Sequence, residues 1–81
     1  HPSYTADLET GVLVTGVSEG TSAEDAGLGQ GDILLAWNDE ELTGGRKLME
    51  MLQASSPGDI VELTVQRDGK NIIVPVTLKA P

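Results

Sequence analysis

Few side chains in this sequence can do chemistry, and their spacing argues against catalysis. His1 is the only histidine and there is no cysteine, so neither a nucleophile–imidazole arrangement nor an ordinary zinc site can be assembled from the chain. Without cysteine there is no disulfide framework and no thiol chemistry, and the redox compartment is left unmarked. Carboxylates cluster at Glu24-Asp25 and Asp39-Glu40-Glu41. Neither run has the Asp-x-Asp-x-Asp-Gly spacing that wraps a calcium ion, so both read as solvated surface. Gly27-x-Gly29-x-Gly31 does not read as a phosphate loop, since the pattern places no helix after it and no lysine within reach. The chain is therefore expected to be non-catalytic, with no cofactor and no metal.

Charge narrows the partners. Thirteen acids stand against five bases, for a formal net charge of −8. A field of that sign repels phosphate backbones and anionic membrane surfaces, and no basic stripe offsets it, so nucleic acid is not an expected partner. No apolar run approaches the roughly 18–20 residues that cross a bilayer, and any targeting signal is expected to lie outside residues 1–81. At 81 residues one small core is all the chain can bury, so residues 1–81 are read as a single domain and as a monomer. The abrupt ends at His1-Pro2 and Ala80-Pro81 lead to the expectation that this domain is excised from a larger protein.

The elements that would position any binding site follow from periodicity. The core must be aliphatic, because Tyr4 and Trp37 are the only aromatic residues. Residues 11–17, Gly-Val-Leu-Val-Thr-Gly-Val, predict a strand buried in part on both faces. Thr21 and Glu24 stand at capping-box spacing before a short helix, which Gly27 ends and Leu28 covers; Ala23 and Ala26 pack inward. Ile33–Trp37 is a strand closed by the turn pair Asn38-Asp39, with Trp37 a partly buried packing residue. Residues 46–54 place Leu48, Met49, Met51 and Leu52 on an amphipathic helix ended by Pro57-Gly58. Residues 59–67 alternate as a strand, and Asp68-Gly69 signals a hairpin to a partner strand over residues 71–79. Strands predominate, with two helices to plug the ends of a curled sheet.

Three stretches in this order carry a family resemblance: Gly11-Val-Leu-Val-Thr-Gly-Val17, Gly20-Thr-Ser-Ala-Glu-Asp-Ala-Gly-Leu28 and Gly31-Asp-Ile-Leu-Leu35. Together with Pro57-Gly58-Asp59 and Arg67-Asp68-Gly69-Lys70 they make the chain from Gly11 to Leu78 resemble a PDZ domain, with Thr21-Ser22 where the family usually has Ser-Pro. The resemblance implies an α+β fold, a small, partly open β-barrel or sandwich of about five to six strands capped by two helices. The details are similar to the circularly permuted PDZ domains of bacterial proteases, in which the ligand-facing strand comes first and the hairpin strand last. Pro2-Ser3-Tyr4 stands where a Gly-rich carboxylate loop is usual, a start similar to PDZ domains attached to M28-type zinc aminopeptidases. HtrA-like serine proteases and C-terminal processing peptidases are the other parents implied, and with them a cell-envelope, periplasmic or secreted location.

What the resemblance implies about function is an extended peptide added as a strand, backbone hydrogen bonds supplying affinity and pockets supplying selectivity. The strand from Ser3 to Asp7, with Ser3, Tyr4, Thr5 and Ala6 as its binding residues, would form the edge that receives it, opposite a helix over residues 45–53. Gly45, Arg46, Met49 and Leu52 would face it from the helix, while Leu48 and Met51 would point into the core. Gly45 occupies the position where many PDZ domains carry a histidine that selects Ser or Thr, so no such selection is expected. Met49 favours a tolerant apolar pocket, or is plain core. Tyr4 either lines the groove or covers the sheet edge. Arg46 and Lys47 read first as solvated charges, with capture of a ligand carboxylate as the alternative. The partner is thus an extended peptide or a protein C-terminus, bound in the micromolar to millimolar range, roughly −8 to −4 kcal/mol. The alternative is a structural or regulatory domain docked on the catalytic domain of its parent.

Overall fold

The β-branched stretches become strands and the two stretches read as helical become helices. The computed structural model describes residues 5–8 and 11–79. In chain order the elements are β1 (Thr5–Leu8), β2 (Gly11–Val14), α1 (Ser22–Asp25), β3 (Ile33–Trp37), β4 (Glu40–Glu41), α2 (Gly45–Gln53), β5 (Ile60–Arg67) and β6 (Lys70–Thr77). One antiparallel sheet runs β1-β2-β3-β5-β6, with the two-residue β4 branching from β3. The expected architecture is therefore present: an open α+β sheet with two helices, and its first and last strands at the two edges.

Three local signals act as read. Thr21 Oγ1 accepts from the Glu24 amide at 3.3 Å, and the Glu24 carboxylate accepts from the Gly20 amide at 3.0 Å. At the other end of α1, Gly27 lies at φ 83°. Its N–H donates to Glu24 and the Leu28 N–H to Ala23, each at 3.0 Å. That is the double closure of a Schellman motif, with Leu28 folded back as its buried apolar contact. Asp68 and Gly69 both have positive φ, 53° and 78°, the type I′ geometry whose twist suits a two-residue hairpin. From it β5 and β6 pair in unbroken register from Arg67↔Lys70 to Ile60↔Thr77.

The core is aliphatic around one tryptophan. Val12, Val14, Leu28, Leu34, Trp37, Leu42, Val61, Leu63, Val65, Val74 and Val76 are buried, and Ala23, Ala26, Leu48 and Met51 pack against them. Period-2 alternation delivers Val61, Leu63 and Val65 from β5 and Val74 and Val76 from β6 to one face. β3 reaches the same face differently. Leu34 pairs with Val65 and Ala36 with Thr64, two steps on β3 against one on β5. This bulge around Leu35 resets the parity, so Leu34 and Trp37, three residues apart, both turn inward. Trp37 is 5% exposed, so it is a core residue and not the partly buried strand end expected.

A second departure concerns residues 11–17, which are not one strand. β2 ends at Val14. Val14 donates to Asp32 O at 2.8 Å and accepts from the Gly31 N–H at 2.9 Å. β3 begins only at Ile33, so among the described residues no strand pairs with residues 15–18, which carry the chain on to α1. That exit opens the site described next.

Candidate functional site

The site begins with α2, which packs by one flank only. Leu48 and Met51 are half-buried against the core, whereas Met49 and Leu52 are 44% and 38% exposed, and no residue of the helix is fully buried. A nine-residue helix with only half its apolar stripe covered leaves a recess beneath the other half. That recess is a groove of about 710 Å³ running between α2, the 16–18 segment and α1. Gly45, Arg46, Leu48, Met49 and Leu52 form its α2 wall; Val17, Ser18, Thr21 and Ala23 form the opposite wall; and Val14, Leu34, Trp37 and Leu63 form its floor. Leu48 was expected to serve the core alone. It does both, because it stands at the boundary where the helix lifts off the sheet.

β1 supplies the adjoining edge. It pairs with β2 on one side, Thr5↔Val14 through Leu8↔Gly11, and ends the sheet path on the other. α2 lies against it. An antiparallel strand turns alternate residues' N–H and C=O groups away from its partner, so such an edge can take a further strand. The opposite edge is blunted. In a two-residue hairpin the closing pair, Arg67↔Lys70, is hydrogen-bonded, and bonded pairs then alternate along the ladder. Pro75, opposite Glu62, falls on an unbonded pair, where its nitrogen faces outward and can donate nothing.

Of the eight candidate residues, Gly45, Arg46, Met49 and Leu52 meet in the groove wall. Thr5 and Ala6 lie in β1 at register positions Val14 and Leu13. Ser3 and Tyr4 lie outside the described residues. Lys47, the possible partner of Arg46 in offsetting a ligand carboxylate, turns instead to Glu40 at 3.6 Å, whereas Arg46 is 93% exposed and only 3.9 Å from Glu50. What the sequence reading missed is the floor and the second wall. No local pattern marks Trp37 or Leu63 as groove residues; Gly16, a break within an apolar run, was the one available signal for the 15–18 exit.

A polar cluster beyond the groove fastens α1, on the side of the wall opposite α2. Asp32, 4% exposed, accepts from Arg67 Nε at 2.9 Å and Nη2 at 2.6 Å, and from the Gly29 amide at 3.0 Å. Arg67 Nη2 also donates to the Gly27 carbonyl at 3.0 Å, which ties the end of α1 to β5. The guanidinium's hydrogen bonds hold the Asp32 carboxyl below the ordinary aspartate range, outweighing the opposite pull of burial. Lys79 fastens the other flank of α1, its amide donating to Ser22 Oγ at 2.8 Å and its ammonium 2.5 Å from the Asp25 carboxylate. Among the described residues no group of three or more His, Cys, Asp or Glu side chains could hold a metal ion.

Comparison with known proteins places this geometry. Residues 4–78 match the family described as PDZ domain. A probable periplasmic serine endoprotease of the DegP-like type from Chlamydia trachomatis is 39% identical over 75 residues, which cover 93% of this chain and 15% of that protein. Among solved structures, an aminopeptidase N family protein from Idiomarina loihiensis superposes with a TM-score of 0.85 at 26% identity, over 95% of this chain and 13% of that one. The HtrA-type protease AlgW, solved with a decapeptide, gives 0.79 at 29% identity, over 88% of this chain and 22% of that one. The chain thus spans less than a quarter of each of these three proteins. Its relatives include periplasmic serine endoproteases, and the chain belongs to the PDZ domain family.

Proposed function

We propose that this chain binds an extended peptide or protein C-terminus, which adds as a strand along β1 with its side chains facing α2. The observation that carries the reading is an apolar groove beside a strand edge that takes no further strand among the described residues, with Met49 and Leu52 left exposed on the helix that overlooks it. Main-chain hydrogen bonds to β1 would give register. Covering apolar side chains in the groove would give most of the affinity, about 25 cal/mol per Å² of apolar surface buried. Pro75 on the far edge leaves β1 as the edge suited to augmentation. Support also comes from AlgW, a relative of this fold solved with a decapeptide. Binding is in the micromolar to millimolar range. The domain serves a larger peptidase in the cell envelope, as the names of its relatives suggest; a serine endoprotease and an aminopeptidase are both represented among them.

A second reading, docking on the parent's own catalytic domain, draws on Ile60 and Ile73. They are 67% and 57% exposed on the face of β5 and β6 turned away from the core. An NMR titration of the labelled chain with peptides ending in free apolar C-termini, repeated with amidated ends, separates the two. Shifts at residues 5–8 and 45–52 that are lost on amidation establish a groove that reads C-termini; shifts that survive amidation establish binding of internal segments. Silence at both elements at millimolar peptide overturns the peptide-binding reading in favour of docking.

A further inference from the structure

Electrostatics constrain what can enter the groove. Among the described residues its lining carries one charged side chain, Arg46, with apolar and small polar residues around it. Acids neighbour these lining residues in sequence. Glu19 follows the lining residue Ser18, Glu24 and Asp25 follow Ala23 on α1, and Glu50 follows Met49 on α2, all four exposed. Four of the five Lys and Arg side chains already stand against carboxylates, and the fifth, Lys70, is at the β5–β6 hairpin. Lys79 sits on Asp25, Lys47 on Glu40 and Arg67 on Asp32, and Arg46 itself leans toward Glu50. With Lys79 on Asp25, three exposed carboxylates that neighbour lining residues in sequence stand against one guanidinium among the described lining residues, inside a chain whose net charge is −8.

Resting on the peptide-binding reading above, we infer that the groove selects peptides whose apolar segment is flanked by lysine or arginine and rejects those flanked by acids. The apolar segment fills the space beneath Met49 and Leu52, and the flanking cations lie over Glu19, Glu24 and Glu50 at the rim. Rim charges of this kind act mainly on encounter and on the exclusion of wrong partners, and they are screened by salt, because the Debye length falls from about 10 Å at 0.1 M to about 3 Å at 1 M. The selection is therefore a low-salt preference imposed on a salt-tolerant apolar contact.

The test uses three labelled ten-residue peptides with one shared apolar C-terminal segment, flanked by Lys-Lys, Ser-Ser or Glu-Glu. Binding is read by fluorescence anisotropy at low and at high sodium chloride. The inference expects the Lys-Lys peptide to bind about tenfold tighter than the Glu-Glu peptide near 0.05 M salt, with the gap closing to about twofold or less near 0.5 M. It also expects the double variant Glu19→Lys, Glu50→Lys, checked for an unchanged melting curve, to erase or invert the order. Equal affinities at low salt overturn the inference while leaving the peptide-binding reading standing, because the Ser-Ser peptide still binds. Tighter binding of the Glu-Glu peptide overturns it too, and makes Arg46 the determinant. If none of the three binds at either salt concentration, the peptide-binding reading fails and the inference fails with it.

Discussion

Asp32 and Arg67 stand 35 residues apart in sequence and meet through two parallel hydrogen bonds, Nε to Oδ1 at 2.9 Å and Nη2 to Oδ2 at 2.6 Å. The carboxylate is buried while the guanidinium remains 39% exposed, so solvent stabilises one partner and the protein must stabilise the other. Removing the arginine leaves a buried anion with only the Gly29 amide as its hydrogen-bond donor, a costlier state than losing both charges together. The variant Arg67→Met is expected to melt roughly 5–10 °C below the parent at neutral pH. The double variant Arg67→Met, Asp32→Asn should recover part of that loss. Differential scanning calorimetry on the three proteins checks the order.

The same pair sets a pH signature. Asp32 titrates lower in the folded chain than an ordinary aspartate, whose pKa is about 3.9. Its contribution to stability is therefore complete above about pH 4 and is lost as pH falls through the lowered folded value. The melting-temperature gap between the parent and Arg67→Met should be constant from pH 7 to about pH 5 and shrink below pH 4. A gap that stays constant to pH 3 would show that the pair is not what Arg67 contributes.

Met49 and Leu48 are neighbours on α2 with different duties. Met49→Glu places a charge in an apolar groove at a position already 44% exposed. It should abolish peptide binding and change stability by about 0.5 kcal/mol or less. Leu48 packs on the core and also lines the groove. Leu48→Ala should cost about 2 kcal/mol, the low end for a leucine truncation because the side chain is only half-buried, and should weaken binding as well. Denaturant melts paired with peptide titrations check both. Unfolding of Met49→Glu would show that Met49 belongs to the core.

Gly11 opens β2 at φ 149°, and a Cβ there would stand 2.8 Å from the Leu34 carbonyl oxygen and 3.0 Å from Ile33 Cγ2. The first is a backbone atom and cannot swing aside. Gly11→Ala should therefore push β2 from β3, at a cost of about 1–3 kcal/mol. The displacement would carry β1 with it through the Leu8↔Gly11 pair. Hydrogen exchange should show lost protection on β1 and β2, and none on the β5–β6 hairpin.

Legibility in the sequence followed the range of the interactions. The cap at Thr21, the Schellman closure at Gly27-Leu28 and the Asp68-Gly69 hairpin each bind residues within five positions of one another, so residue types at fixed spacing were enough to read them. The alternation of residues 59–67 likewise marked β5 as a strand, since a period of two needs no knowledge of the partner strand. The amphipathic stripe of α2 was legible from its helical spacing, whereas the resemblance, not the spacing, pointed to Gly45, Met49 and Leu52, which lie in the wall of a groove. Tertiary structure alone decided the rest. The end of β2 at Val14 depends on where β3 begins, and the inward turn of both Leu34 and Trp37 depends on a bulge that exists only against β5. The Asp32–Arg67 pair forms because sheet order brings the turn before β3 beside the end of β5. The groove floor joins Val14, Leu34, Trp37 and Leu63 from three strands. Pairing and packing bring these residues together from distant parts of the chain, and no pattern confined to one segment encodes that proximity.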